Sequence, residues 1–172
     1  GSSSEYGENC NAPLEDAQLF PNSDYAVSKV GCAHLLSYYG RIRGVPCAHL
    51  RLYSVYGPTE DSSRLFPHVI KAAAKGVFPP FVKPTISRDF VYIDDVVEAF
   101  LLAASSMNKV LKGESINIGS GVKTSIADLA ALMKTTFGIQ GEPVFSQMEP
   151  KKWDVEEWCA NPAKAHHLLG WK

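Results

Sequence analysis

The chain predicts an α/β protein, because short apolar runs of strand character alternate with segments of helical period from one end to the other. The clearest pair comes early. "PNSDYAVSKVGCAHLLSYYGRIRG" (21–44) places apolar residues at helical spacing, offers Asn22, Ser23 or Asp24 as a cap, and meets Gly44 where a helix would end. "VPCAHLRLYSVYGP" (45–58) then reads as a buried strand that leaves through Gly57-Pro58.

The alternation continues. "SRLFPHVIKAAAKG" predicts a second helix from about Pro67 to Gly76. "RDFVYIDD" is a short strand whose aspartates cap "VVEAFLLAASS", a helix so uniformly apolar that it is expected to be well buried, with "AFLLAA" as core. The strand "ESINIGSG" follows, then the helix "SIADLAALMKTTFG" capped by Thr124 or Ser125, a strand at "PVFSQM", and a last helix in "NPAKAHHLLGW" with Asn as cap and Pro at its first position. No internal repeat, low-complexity tract or linker interrupts the series.

Composition narrows the function classes. With 172 residues, 45% of them hydrophobic, the chain is long enough for one domain with a real core. Seventeen basic residues against eighteen acidic ones leave no basic stripe to neutralise phosphates along a strand, so nucleic acid is not an expected partner. Cys10, Cys32, Cys47 and Cys159 form no C-x-x-C pair, which argues for reduced thiols and a cytoplasmic setting rather than a disulfide framework or zinc cluster. No apolar run approaches the roughly 20 residues that span a bilayer, and the serine-rich start lacks the basic and apolar regions of a signal peptide. His34, His49 and His68 stand isolated, and His166-His167 have no carboxylate or cysteine at ligand spacing, so no metal is expected. Trp153, Trp158 and Trp171 are expected to pack rather than to stack a base. Neither a G-x-G-x-x-G loop nor a P-loop occurs, and Gly119-Ser120-Gly121 is too short to replace one.

Tyr25 and Lys29 lie one helical turn apart, so the phenol and the ammonium can face one ligand. Tyrosine is a poor base at neutral pH, its ordinary pKa being about 10, and a neighbouring lysine cation favours the phenolate. A serine hydroxyl near the same point would bind a substrate oxygen passing between alcohol and carbonyl. On its own, Y-x-x-x-K also fits an ordinary helix surface.

"SSSEYG", "YAVSK", "RLYSVYGP", "RDFVYIDDVVEAF", "NIGSG" and "WCANPAKAHHLLGW" together resemble, in order and approximate spacing, the extended short-chain dehydrogenase/reductases that act on nucleotide sugars. The resemblance runs through essentially the whole chain but begins at the family's fifth strand, so the glycine-rich first half of the dinucleotide fold has no counterpart here. It implies the C-terminal part of a Rossmann-type doubly wound sheet plus a small α/β nucleotide-sugar-binding domain. Residues 1–60 would carry the Rossmann part with the catalytic Tyr and Lys. Residues 61–172 would be mainly the substrate domain, with 86–105 returning to the Rossmann core. "GSSSEYG" resembles the end of the fifth strand of 4-ketosugar reductases, which makes Gly1 native sequence.

Roles follow from the resemblance position by position. Ser2, four residues before the tyrosine of the "YG" pair, is the implied catalytic hydroxyl, with Ser3 next in line. Tyr25 is the acid/base and Lys29 its partner, both also touching the nicotinamide ribose of NAD or NADP. Tyr53 stands where the backbone meets the nicotinamide end. Ser54 replaces the usual substrate-binding Asn, Arg88 matches the arginine that pairs with the diphosphate, and Lys151 stands in for a second phosphate arginine. A salt bridge from Arg88 to Asp89 or Asp94 is the structural alternative. The G-D-G turn common before that arginine is missing from "FVKPTISRDF".

The implied activity is that of a nucleotide-sugar epimerase or 4-ketoreductase working on a nucleoside diphosphate sugar, as a homodimer built on a four-helix bundle. A 4,6-dehydratase is the alternative, because Ser3-Ser4-Glu5 lines up with a dehydratase Thr-Ser-Glu if one residue is lost between Glu5 and Tyr6. From another class, the chain would be a non-catalytic piece that folds without turning over.

Overall fold

The computed structural model describes residues 1–106, 111–148 and 155–172. It opens with a 3-10 helix, Ser3–Tyr6, and continues α1 (Asp24–Arg41), β1 (Cys47–Leu52), β2 (Ser54–Tyr56), α2 (Leu65–Ala73), β3 (Ser87–Arg88), β4 (Phe90–Tyr92), α3 (Ile93–Ser106), β5 (Lys112–Ile118), β6 (Thr124–Ser125), α4 (Ile126–Phe137), β7 (Glu157–Trp158) and α5 (Ala163–Leu169). β1 pairs with β5 in parallel, in a register that sets Leu50 opposite Ile116 and Leu52 opposite Ile118. Ser2 bridges Leu52, also in parallel, so the start of the chain lies beside β1. Parallel neighbours joined by helices are the Rossmann-type arrangement.

The run 45–58 is broken into two strands at Tyr53. Up to Leu52 the partner is β5; from Ser54 it is β4, again parallel. Tyr53 makes the switch, its N–H donating to Ile118 O at 3.0 Å while its carbonyl accepts from Val55 N–H. β3 sits between β6 and β7 in a separate three-stranded sheet.

The helices start where local chemistry satisfies their free N–H groups. Of the three candidate caps for α1, Ser23 accepts from Ala26 N–H at 3.2 Å. Ser125 caps α4 reciprocally with Asp128. α2 begins at Leu65, two residues before Pro67, because a proline in the first turn has no N–H that the helix needs. α3 begins at Ile93, which puts Asp94 and Asp95 inside its first turn, where carboxylates favour the helix dipole, rather than ahead of it as caps.

In α5 the cap position falls on Pro162 and the helix starts at Ala163, one residue later than expected, although Asn161 Oδ1 still accepts from Ala163 N–H at 3.1 Å. Two further expectations fail. α3 is not buried all round: Val96, Ala99 and Ala103 face the core, while Val97, Phe100 and Leu101 are about half exposed or more. Its inner stripe is of small residues, and the uniform hydropathy of the segment hid that stripe. "PVFSQM" forms no strand; Ser146 takes a left-handed φ of 59°, and only the N–H groups of Ser146 and Gln147 reach the 81–82 backbone.

Two apolar clusters result. One gathers Leu50, Tyr53, Val91, Val96, Ile116, Ile118 and, from the end of the chain, Ala165, Leu169 and Trp171. The other gathers Val69, Phe81, Ile86, Ile126, Leu129 and Met133. Among the described residues no helix is long and apolar enough to cross a membrane.

α1 approaches the sheet most closely at Gly40. A Cβ there would stand 2.2 Å from Gly113 N, and Gly113 itself holds φ at 77°. Gly31, on the same helix, has nothing within 4 Å of the place its Cβ would take. Gly40→Ala is therefore expected to lower stability by about 1–3 kcal/mol through overpacking. Gly31→Ala is expected to raise it by about 0.5–1 kcal/mol by removing backbone freedom from the unfolded chain. Urea unfolding of the two variants checks both signs.

Candidate active site

The serine-rich start folds into a capping box. Ser4 N–H donates to Ser2 Oγ at 3.2 Å, and Ser2 N–H donates to Glu5 Oε1 at 3.0 Å, which closes the loop on itself. Glu5 is completely buried, yet it is not alone. His49 Nε2 lies 2.7 Å from Oε1 and Arg51 Nε 2.8 Å from Oε2, both reaching in from β1. Because a carboxylate only accepts, His49 donates through Nε2. Burial by itself would raise the Glu5 pKa, but the bonds from His49, Ser2 N–H and Arg51 outweigh it and hold the carboxyl below its ordinary value.

The network extends further. Arg51 Nη1 donates to Tyr6 OH at 2.8 Å and to Glu15 O at 2.9 Å. Tyr6 OH donates to Asn117 Oδ1 at 2.7 Å, and Asn117 N–H reaches Glu15 Oε1. His49, isolated in the sequence, is thus part of the support of the site. The signals that reveal it are the S-x-x-E spacing of Ser2 and Glu5 and the i, i+2 spacing of His49 and Arg51, which points both to one face of a strand.

α1 packs against this 3-10 helix and carries Tyr25 as its second residue. Tyr25 is exposed, and Lys29 Nζ stands 5.3 Å from the centre of its ring. Ser3 is buried beside Ser2. Tyr53 lies under the β1–β2 junction, its hydroxyl buried without a partner and its phenol held far above the ordinary pKa, first by burial. Ser54 N–H donates to Asp89 O at 2.9 Å.

Arg88 lies farther along, in β3. Its Nη1 donates to Ser87 O at 2.7 Å and to Val155 O at 3.0 Å, and its guanidinium stands 5.5 Å from the Trp158 ring centre. The Asp89 carboxylate is committed to other donors: Ser120 N–H and hydroxyl at 2.7 Å, Gly121 N–H at 2.8 Å and Ala160 N–H at 3.0 Å. The amides of the small glycine loop are thereby turned onto an internal carboxylate. Lys151 and Trp153 lie outside the described residues.

A cavity of about 580 Å³ opens between α1, residues 15–19 and β5, but it is lined by neither Ser2, Tyr25 nor Lys29. Its Glu114 is paired with Lys164 and Arg41. Ser2 and the Tyr25–Lys29 pair lie outside that cavity, on two elements in contact with each other. Among the described residues no cluster of His, Cys, Asp or Glu could hold a metal ion.

The family model described as the NAD dependent epimerase/dehydratase family matches residues 1–119. The chain belongs to this family.

Its relatives include 4-epimerases of nucleotide sugars and proteins with 4,6-dehydratase activity, among them a trifunctional UDP-glucose 4,6-dehydratase/epimerase/reductase of Arabidopsis thaliana, 29% identical over 91% of this chain and 23% of that protein. The UDP-glucose 4-epimerase of Mycolicibacterium smegmatis is 30% identical over 168 residues, covering 92% of this chain and 50% of that protein. UDP-glucuronate 4-epimerase 3 of Arabidopsis thaliana is 28% identical over 99% of this chain and 43% of its own length. The UDP-glucuronic acid 4-epimerase of Bacillus cereus, solved with UDP-glucuronic acid and NAD, superposes with a TM-score of 0.85 at 31% identity, covering 99% of this chain and 54% of that one. The chain spans about half the length of the curated relatives it matches.

The buried Glu5 yields a signed prediction. A folded pKa below the unfolded one means that the stabilisation is complete above the unfolded value, ordinarily 4.5, and is lost as pH falls through the folded value. The unfolding free energy of the chain should therefore decline as pH falls below about 4.5, and Glu5→Gln should flatten that decline while lowering stability at neutral pH. Denaturation midpoints measured between neutral pH and pH 3 test it.

Proposed function

We propose that this chain is the C-terminal part of an NAD(P)-dependent nucleotide-sugar epimerase or 4-ketoreductase. The observation that carries this reading is the Tyr25–Lys29 pair at the start of α1, packed against the helix that Ser2 caps. Residues 1–60 with β4 and α3 of the 86–105 segment, joined by β5 and α5, form the Rossmann part, and the second apolar cluster, which takes Ile86 from the start of that segment, forms the nucleotide-sugar part. The substrate is a nucleoside diphosphate sugar, supported by the UDP-sugar epimerases among the relatives.

NAD, when bound, supplies the hydride acceptor and, once reduced, the donor. Tyr25 removes the proton of the sugar C4 hydroxyl as that carbon becomes a carbonyl, and returns it when the alcohol re-forms. The Lys29 ammonium beside the ring stabilises negative charge on the phenol oxygen and holds the nicotinamide ribose. Ser2, with Ser3 behind it, donates to the C4 oxygen. Tyr53 contributes its carbonyl, which keeps a second lone pair beyond the one given to Val55 N–H. Ser54, Arg88 and Lys151 are the substrate contacts, Arg88 for the diphosphate.

A 4,6-dehydratase would need Glu5 free to work on the sugar, and its engagement with His49, Arg51 and Ser2 N–H speaks for the epimerase or reductase reading. The protein is cytoplasmic and works as a homodimer through α1, whose Val27, Leu35, Tyr38, Tyr39 and Ile42 are exposed.

In a polypeptide that joins this chain to a dinucleotide-binding half, Tyr25→Phe is expected to lower kcat by about a hundredfold or more, the range for losing a general acid/base. Arg88→Ala should instead raise KM more than it lowers kcat, since diphosphate binding is equal in ground and transition states. Steady-state kinetics separate the two; near-normal turnover of Tyr25→Phe would rule the mechanism out.

The isolated 172-residue chain is expected to bind neither NAD(H) nor NADP(H) measurably and to be inactive. Dinucleotide affinity rests on loop amides aimed at the pyrophosphate, and here the Ser120 and Gly121 amides are held by Asp89. The exposed side of α1 should make the same preparation self-associate. Calorimetric titration and sedimentation equilibrium on one sample check both; micromolar binding, or a clean monomer at high concentration, would overturn the respective half.

A further inference from the structure

The geometry points to Glu5 as a positioning residue that fixes the Ser2 hydroxyl as a hydrogen-bond donor to the substrate oxygen. This inference rests on the reading of Ser2 and Tyr25 given above.

Three observations support it. The first is the direction of the Ser2 hydroxyl. Ser2 Oγ already accepts from Ser4 N–H, so one lone pair is occupied and the O–H proton is left to point elsewhere. An oxygen that gains negative charge during reaction needs a donor already oriented, and a hydroxyl free to rotate supplies one less well.

The second is that this orientation depends on the turn. The turn is closed by Ser2 N–H to Glu5 Oε1, the reciprocal half of the capping box. Without that bond the Ser4 N–H to Ser2 Oγ contact loses its frame, because the two bonds fix the same three residues.

The third is that Glu5 is itself immobile. Two donors from outside the turn hold it, His49 on Oε1 and Arg51 on Oε2, and Arg51 is itself held through its Nη1, which donates to Tyr6 OH and Glu15 O. His49 and Arg51 both belong to β1, whose Leu52 also bridges Ser2. The carboxylate therefore transmits the position of β1 to the hydroxyl, and a misplacement of that hydroxyl of about 1 Å would cost on the order of a hundredfold in rate.

The test is a double-mutant cycle in the joined polypeptide, with Ser2→Ala, Glu5→Gln and the pair. Gln keeps the length of Glu but sets an amide N–H against Arg51 or Ser2 N–H, so the turn loses an acceptor. Glu5→Gln should lower kcat by roughly ten- to a hundredfold with KM changed by less than about twofold, and Ser2→Ala by roughly 10²–10³-fold. If Glu5 acts through Ser2, adding Glu5→Gln to Ser2→Ala should cost less than about threefold more.

Hydrogen exchange supplies a readout apart from activity: in Glu5→Gln the Ser2 and Ser4 amides should lose protection while those of Leu50 and Leu52 keep it. Should Glu5→Gln fail to fold, His49→Leu, which removes one donor and leaves the Arg51 pair, should show the same pattern more weakly. Multiplying losses, a change in KM alone, or protection lost through β1 would each overturn the positioning role. A Ser2→Ala enzyme as fast as wild type beside a dead Tyr25→Phe overturns it too and leaves the proposed reaction standing; an active Tyr25→Phe overturns the reaction itself.

Discussion

The buried ion pair between Glu5 and Arg51 is the interaction on which the arrangement of the site depends. Neither group is more than a few per cent exposed, and two charges removed from water are tolerable only when their remaining hydrogen-bonding capacity is filled. Here it is filled from four directions: His49 and Ser2 N–H on the carboxylate, Tyr6 OH and Glu15 O on the guanidinium. Ser2, Tyr6 and Glu15 belong to the start of the chain and its following loop, whereas His49 belongs to the sheet strand β1. The pair joins the 3-10 helix, the 8–21 loop and β1 into one body, and α1 rests on that body. Replacing either member alone would strand the other as an uncompensated charge at a cost of about 3–5 kcal/mol.

Asp89 does the same work at the next pair of strand ends. It lies between β3 and β4, with four short bonds to Ser120, Gly121 and Ala160, and so draws together the entrance of β4, the exit of β5 and the start of the last segment. A Cβ on Gly119 would stand 2.4 Å from Ala160 Cβ and 2.9 Å from Asp89 Oδ2, so only glycine lets the backbone come this close. Ser2 bridges the last residue of β1, Tyr53 follows β1, and Gly119 follows β5, so all three stand at the carboxyl ends of parallel strands. That is the edge at which open α/β sheets bind their ligands. Two buried carboxylates, one at each crossover, hold this edge in shape.

Much of this was legible in the sequence because it is local. A cap among Asn22, Ser23 and Asp24, another at Thr124 or Ser125, and the alternation of strand and helix each depend on a few neighbouring residues, and the structure selects Ser23 and Ser125. The Tyr25–Lys29 pair is legible for the same reason, since four residues of helix fix it. What was not legible depends on partners far along the chain. Glu5 and His49 are 44 residues apart, and nothing near His49 announces that a carboxylate will meet it. The division of 45–58 at Tyr53 is invisible locally, because it arises when the neighbour changes from β5 to β4. Segment 143–148 has strand propensity but a left-handed Ser146, and α3 has an apolar outer face that composition alone would put inside.

The same geometry divides the chemistry. Oxidation and reduction at a carbinol need a proton relay and a hydride carrier, and in the proposed reaction Ser2, Tyr25 and Lys29 belong to the first. The backbone amides of the small glycine loop, those of Ser120 and Gly121, are turned inward onto Asp89, and that commitment is structural: their release would take two of the four short hydrogen bonds from a buried carboxylate and leave it only the Ser120 hydroxyl and Ala160 N–H at short range. This loop therefore makes no provision for the dinucleotide phosphates. In the proposed reaction a carbinol oxygen would meet, in Ser2, a hydroxyl on a turn whose position is set by β1 through Glu5, His49 and Arg51 rather than by the ligand, which is the preorganisation that a proton transfer in step with hydride loss requires.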